Sequence, residues 1–406
     1  MVFIGAAFLL SLASLISSSI IQNGQVRDVN FPNTKIESIA VNDAGWTTFA
    51  PNATELAYKG RWDSKFISYW SSPGLKFGFT GDKVAITFGQ HTIAKVLVGY
   101  RLDTQDWQFT NLTTSGVHQF ISPKTPGFNL STAPSRNFEL RVTNWGYGVQ
   151  ISGIHLAAGA RLLKAPTYTR NIEIIGDSLS SGQYASYEGL SSWPWALCNA
   201  LGTEFTVSAY PGNCLVDTEC WGNLRGQSYQ WFQTQDTGWR STQLYGKNPE
   251  PWNFTAHPAA DLVIIHLGTN DNNTHNNVSS ATYLKTYIEF ARKVHDVWPK
   301  SQIILVSLFN SFWQDGADYR QSGIMVDEIK QVFDTLKGEG WIHYFDTRGI
   351  LAHNDIGPQW HYTDIGNVKL ASALMQYIRM KFGWEVEGAG PEILHDTLYW
   401  NDEPGY

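Results

Sequence analysis

Charge is scarce in this chain of 406 residues: Asp, Glu, Lys and Arg together make up 16%, with a formal net charge of −7. No Lys/Arg cluster offsets that scarcity, so there is no electrostatic footprint for nucleic acid and no polyanionic partner is expected. His-Glu-x-x-His and other clustered ligand spacings are absent, which disfavours a metal-dependent deacetylase and gives no reason to expect a metal or cofactor. Past the first 21 residues no stretch is long and apolar enough to cross a bilayer, so no stable membrane association is expected.

Hydrophobic residues make up 43%, enough to fill two cores, and the length favours two domains. Residues 1–19 read as a signal peptide, being apolar, serine-rich and uncharged, although the usual Lys or Arg at the start is missing. An uncleaved anchor is the rival reading. Export is supported by Asn-x-Ser/Thr acceptors at Asn52, Asn111, Asn129, Asn253, Asn272 and Asn277, and a secreted, extracellular, monomeric protein is expected. Secretion permits a disulfide among Cys198, Cys214 and Cys220, with Cys214–Cys220 the preferred pair and the odd thiol buried rather than reactive.

Residues 35–165 show short β-type segments separated by turns. Lys76 to Phe79, a Gly81-Asp82 turn and Val84 to Phe88 read as a hairpin. Lys95 to Tyr100, His118 to Ile121, Phe138 to Val142 and Val149 to Leu156 follow at spacings that suit an all-β sandwich or jelly roll, with Val84, Ile86, Val96, Val98, Leu140 and Ile151 facing inward. After Ala165-Pro166 the pattern changes. Continuous apolar runs at Ile172 to Ile175, Phe205 to Ala209, Leu262 to Leu267, Ile303 to Leu308 and Ile342 to Phe345 predict a parallel sheet buried on both faces. Between them, Ala281, Leu284, Ile288, Ala291 and Val294, then Met325, Ile329, Val332, Phe333 and Leu336, recur at helical spacing. The fold class is therefore α/β, a three-layer α/β/α domain over 170–384, followed by an acidic tail over 385–406.

Ile174-Ile175-Gly176-Asp177-Ser178-Leu179-Ser180 ends an apolar strand on a small-residue turn and presents one hydroxyl at its carboxyl end. Ligands bind outside the carboxyl ends of such strands, and N–H groups opening the next helix can stabilise an oxyanion. Asp177 and Ser178 are also favoured helix caps, so this block alone decides little. Three further blocks follow: Tyr210-Pro211-Gly212-Asn213, Gly268-Thr269-Asn270-Asp271 and Trp360-His361-Tyr362-Thr363. In this order the four resemble the SGNH (GDSL) hydrolases over roughly residues 170 to 380. The resemblance implies an esterase with Ser178 as nucleophile and His361 as base. It also implies the Ser178 N–H, the Gly212 N–H and the Asn270 carboxamide as oxyanion donors; Asp177, Trp221 and Trp360 are expected against the substrate. A sandwich ahead of such a domain is the layout of carbohydrate esterase family two, and Lys59-Gly60-Arg61-Trp62-Asp63 is similar to that family's Gly-Arg segment. The second Gly of Gly-x-Ser-x-Gly is missing, which argues against an α/β-hydrolase elbow.

Histidine suits the base because its unperturbed pKa lies near neutrality. His361 stands just before the last helix, expected over Val368 to Met380, while His353 and His343 are runners-up and His266 reads as a core residue. Most SGNH enzymes carry Asp three residues before the base, where this chain has Pro358. Family two triads place it two before, as Asp-Trp-His, where this chain has Gln359 beside Trp360. The expectation is a Ser-His dyad oriented by a Gln359 carbonyl, with Asp355 as the alternative acid; the resemblance includes dyads held by a backbone carbonyl.

The segment from Leu215 to Pro258 is long and carries Trp221, Tyr229, Trp231, Phe232, Trp239 and Trp252, which either wall a site or form the insertion's own core. The combined expectation is deacetylation of acetylated polysaccharide or oligosaccharide, as in acetyl xylan esterases. A lipid acylhydrolase and a catalytically lapsed glycan-binding module are the rivals.

Overall fold

A computed structural model describes residues 44–125, 128, 134–309 and 311–385, together with 20–22, 25–27 and 39–40. The expected signal peptide, the acceptor Asn129 and the tail beyond 385 lie outside the described residues. Ile20–Gln22 and Gln25–Arg27 pair as a short antiparallel ribbon.

Two antiparallel sheets build the N-terminal half. One orders the strands Val117–Ile121, Val84–Phe88, Val149–Ala157 and Trp46–Phe49, with Ile67–Ser68 also against Val149–Ala157. The other orders Leu162–Leu163, Gly74–Phe79, Arg136–Val142, Leu97–Leu102 and Gln108–Asn111, with Ala57–Lys59 beside Gly74–Phe79. All six residues expected to face inward lie in one shared core with Phe77, Phe79 and Phe138.

The expected hairpin across Gly81-Asp82 is not formed. Gly74–Phe79 pairs with Arg136–Val142 in one sheet, and Val84–Phe88 pairs with Val149–Ala157 in the other, so the turn arches between sheets. A Gly-Asp turn between two apolar runs fits either connection. The deciding fact is that Phe77, Phe79, Val84 and Ile86 are all fully buried and meet across the core instead of side by side.

In the C-terminal half, five parallel strands run in the order Glu204–Ala209, Asn171–Gly176, Leu262–His266, Gln302–Val306, Ile342–Phe345. Alternate side chains go to opposite faces. Ile174, Ile264 and Ile304 pack on the helices Trp193–Leu201 and Asp364–Phe382, while Ile175, Ile265 and Leu305 pack on Ser280–Val297 and Val326–Leu336. Each fully buried Ile contributes about 2 kcal/mol of transfer free energy, and both faces need it, which is why the strands read as unbroken apolar runs. The order reverses between Asn171–Gly176 and Leu262–His266, and such a switch point opens a crevice at the strands' carboxyl ends.

The long central helix turns a face inward that differs from the expected one. Tyr283, Tyr287 and Phe290 join Ala291 and Val294 in the core, while Leu284 and Ile288 are only partly buried. The Tyr283 hydroxyl donates to the Leu267 carbonyl at 2.7 Å, so its ring can fill the core with its polar end satisfied. The last helix starts earlier than expected, at Asp364, because the Thr363 hydroxyl caps it by accepting the Gly366 N–H. A hairpin, Ser311–Asp315 with Asp318–Ser322, was not anticipated.

Arg61 ties the two halves together. Its guanidinium donates to Glu173 at 2.9 Å, to the Gln233 carbonyl at 2.9 Å and to the Trp231 carbonyl, and only 1% of Arg61 is exposed. The Gly-Arg segment is thus a buried brace between a sheet strand and the Trp-rich insertion. Removing one partner of such a pair leaves an uncompensated buried charge.

Candidate active site

Strand Asn171–Gly176 ends at the switch point, and the chain turns at once into the short helix Ser178–Ser181. Gly176 is required there, because a Cβ would lie 2.3 Å from the Ser180 Oγ. Asp177 caps the helix by accepting the Leu179 N–H at 2.9 Å. Expected against substrate, Asp177 is instead fully buried beneath the turn, and burial pushes its carboxyl up to about 7. Ser178, 6% exposed, opens into a cleft of about 720 Å³.

Gly212, Asn270, Gln359, Trp360 and His361 line the same cleft, each from a loop at the carboxyl side of the sheet. Gly212 has φ of +82°, and a Cβ there would meet the Trp221 Cβ at 2.8 Å, so glycine is needed for conformation and for space. The Asn270 Nδ2 donates to the Asn213 carbonyl at 2.9 Å and, over a longer 3.4 Å, to the Asp177 Oδ2. One amide hydrogen is therefore fixed on the neighbouring loop, and the other is held by the longer contact. Asp271 braces that loop further, its carboxylate accepting the Leu215 and Val216 N–H groups at 2.8 and 3.0 Å; burial pushes it up to about 6.

His361 is held by a tight reverse connection. The Thr363 N–H donates to the Asp355 carbonyl at 2.9 Å and the Gly357 N–H to the His361 carbonyl at 2.7 Å, leaving Pro358, Gln359 and Trp360 as the turn. Gln359 and Trp360 both have left-handed backbones, with φ of +50° and +62°. That conformation costs a non-glycine residue about 1–2 kcal/mol and recurs at functional sites. Its consequence here is that the Gln359 carbonyl turns back to the His361 ring, with Nδ1 to O at 2.8 Å. The Tyr184 ring packs edge-on against the imidazole at 4.9 Å.

Asp355 serves elsewhere. Its carboxylate accepts the Ala352 N–H and the Lys369 ammonium, both at 2.7 Å. Burial opposes its ionisation, but those partners outweigh burial and hold it below the ordinary carboxylate range. The other three histidines weighed as candidates are also engaged away from the cleft. His343 contacts Gln302 at 2.7 Å, His353 packs on Phe312, and His266 is buried between Trp193 and Tyr362, where burial lowers it to about 3.

Cys214 and Cys220 form the preferred disulfide, closing the loop between Gly212 and Trp221. Cys198 is a buried thiol that burial pushes up to about 12. The insertion's aromatics divide between the two readings. Trp231 is fully buried, whereas Trp221, Trp239 and Trp360 are 53%, 56% and 58% exposed on the cleft wall. Trp145, Tyr210, Gln183 and the rim Asn272–Thr274 also line the cleft and were not foreseen. Tyr210 and Asn272 adjoin recognisable blocks and were within reach of the sequence. Trp145 was not, because it comes from a connection in the N-terminal half.

A hydroxyl, an imidazole with one nitrogen fixed on a carbonyl, and amide donors around one cleft can support acyl transfer. Residues 174–368 match the GDSL-like lipase/acylhydrolase family. An acetylxylan esterase / glucomannan deacetylase from Cellvibrio japonicus is 22% identical over 57% of this chain, and the match spans 65% of that relative's length. The solved structure of a family two carbohydrate esterase from Cellvibrio japonicus superposes with a TM-score of 0.66 at 15% identity, covering 84% of this chain and 98% of that one. A family two carbohydrate esterase from Clostridium thermocellum, in complex with cellohexaose, gives 0.66 at 18% identity, covering 81% and 100%. Over residues 174–368 the sequence is therefore similar to the GDSL-like lipases and acylhydrolases, and over most of its length the chain shares the fold of the solved family two carbohydrate esterases.

Proposed function

We propose that this protein is a secreted, monomeric serine esterase that removes acetyl groups from glycan hydroxyls, with a jelly-roll sandwich over 35–165 flanking a catalytic domain over 170–384. The observation that carries the reading is the convergence of Ser178, Gly212, Asn270 and His361 on one cleft, with the His361 Nδ1 engaged by the Gln359 carbonyl. A carbonyl accepting from Nδ1–H fixes the tautomer in which Nε2 carries the lone pair. That nitrogen takes the proton of Ser178 as its oxygen attacks the acetyl carbonyl. Negative charge on the carbonyl oxygen is met by the Ser178 N–H, the Gly212 N–H and the Asn270 Nδ2. Collapse expels the sugar oxygen with the proton from His361, and water, activated by the same imidazole, releases acetate from the acyl-enzyme.

Glycan substrate is supported by the exposed faces of Trp221, Trp239 and Trp360, which suit sugar rings, and by the acetylxylan esterase likeness. Against a lipid acylhydrolase stand the cleft's polar lining groups, Gln183, Asn270, Asn272, Asn273 and Thr274, where a long acyl chain needs an apolar tunnel. The test is a series of aryl esters of rising acyl length with wild type and Ser178→Ala. Activity that peaks at acetate and vanishes in the variant supports the reading. A peak at long chains replaces it with the lipid reading, and sugar binding with no turnover replaces it with a lapsed binding module.

A further inference from the structure

Five of the glycan acceptors fall among the described residues, and of these Asn272 lines the cleft. It follows Asn270 by two residues, in an exposed rim that is firmly braced. The Asn272 N–H donates to the Gly268 carbonyl at 3.0 Å, the Asn276 Nδ2 to the Asn270 carbonyl at 2.8 Å, and the His275 N–H to the Asn273 Oδ1 at 3.0 Å. The Trp221 ring stacks on His275 at 4.9 Å, so this rim and the aromatic wall form one unit. Asn272 and Thr274, the two side chains that define the acceptor, are both exposed. At two of the other acceptors a group is committed: the Asn111 Nδ2 donates to the Lys95 carbonyl at 2.8 Å, and Ser279, the hydroxyl residue for Asn277, caps the helix Ser280–Val297.

We infer that Asn272 is an N-glycosylation site whose glycan forms an end wall of the cleft and admits short acetylated oligosaccharides and chain ends in preference to polymer interiors. The access effect rests on the esterase reading; the modification does not. In the modification, the Asn272 carboxamide nitrogen bonds to C1 of a lipid-diphosphate-linked oligosaccharide. The C1–O bond breaks, the lipid diphosphate leaves with the electron pair, and the nitrogen loses one proton to a base. A branched chain of sugar rings fixed beside Trp221 then stands where a polymer leaving that side of the cleft would pass.

The experiment uses the full chain made in a glycosylating secretory host. Peptide mapping after enzymatic glycan release in heavy-oxygen water reads occupancy at residue 272. Specificity constants on acetylated xylan and on an aryl acetate are then compared for native protein, for protein trimmed by an endoglycosidase, and for Thr274→Ala. The expected result is label at residue 272, with the xylan-to-aryl-acetate ratio rising severalfold after trimming and in Thr274→Ala. No label at 272 overturns the inference, whatever the other acceptors show. Label at 272 with an unchanged ratio in both arms overturns the gating. Failure of the native protein to cleave aryl acetate sinks the esterase reading instead, and the mapping still decides the modification.

Discussion

The Nδ1 atom of His361 lies 2.8 Å from the main-chain carbonyl oxygen of Gln359, two residues earlier in the same turn. A backbone atom supplies this contact, so the side chain at 359 is dispensable for it. Gln359→Ala is expected to keep hydrolysis of an aryl acetate within about threefold of wild type, since both carry the same carbonyl. Steady-state rates check it, and a loss of about 10²-fold would show that the side chain does the orienting.

Asp355 separates the dyad from a triad. Its carboxylate is bound to Ala352 N and Lys369 Nζ, so Asp355→Ala should loosen the turn that carries His361 and lower stability by about 1–3 kcal/mol. Denaturant melts and rates measured together check this. The folded fraction should retain most of its turnover, whereas His361→Ala should lose about 10³-fold or more. Equal losses in the two variants would put a carboxylate back into the mechanism.

On the proposed mechanism Asn270→Ala removes one charge-stabilising donor; it also frees the Asn213 carbonyl. The expected cost is about 10²- to 10³-fold in kcat with KM little changed, because the donor acts mainly on charge that develops in the transition state. A change confined to KM would make Asn270 a substrate-positioning residue.

Buried acids contribute a fall in stability with rising pH. Burial pushes Asp177 and Glu188 up to about 7, and Asp236 and Asp271 up to about 6. Unfolded carboxyls titrate near 4, so between about pH 4 and 7 the unfolded chain is ionised while these groups stay protonated in the native state. The native state then holds more protons, and stability falls as pH rises through that window. For Asp177 the loss amounts to at most about 4 kcal/mol. The buried histidines, lowered as His266 and His343 are, pull the other way, so the two proteins are compared: the Tm of Asp177→Asn, which still caps the helix, should rise relative to wild type between pH 5 and pH 8. Identical pH profiles for the two proteins would refute the assignment.

The parallel sheet was legible because strands buried on both faces must be apolar at every position, as Leu262 to Ile265 are. The two-sheet sandwich was legible as a class but not in its pairing. Phe79 and Val84 look the same whether Gly81-Asp82 folds a hairpin or an arch, since pairing depends on distant Arg136–Val142 and Val149–Ala157. The cleft residues carried by motif blocks were legible through the family resemblance that the order of those blocks carries. Trp145 was not, and Asp177, expected against substrate, is buried, because local sequence does not say which way a cap side chain points.

The most direct measurement is acetate release from acetylated xylan by wild type and by Ser178→Ala at equal folded concentration. The account predicts steady release by the wild type and none above background from the variant. Comparable release by both proteins would contradict it.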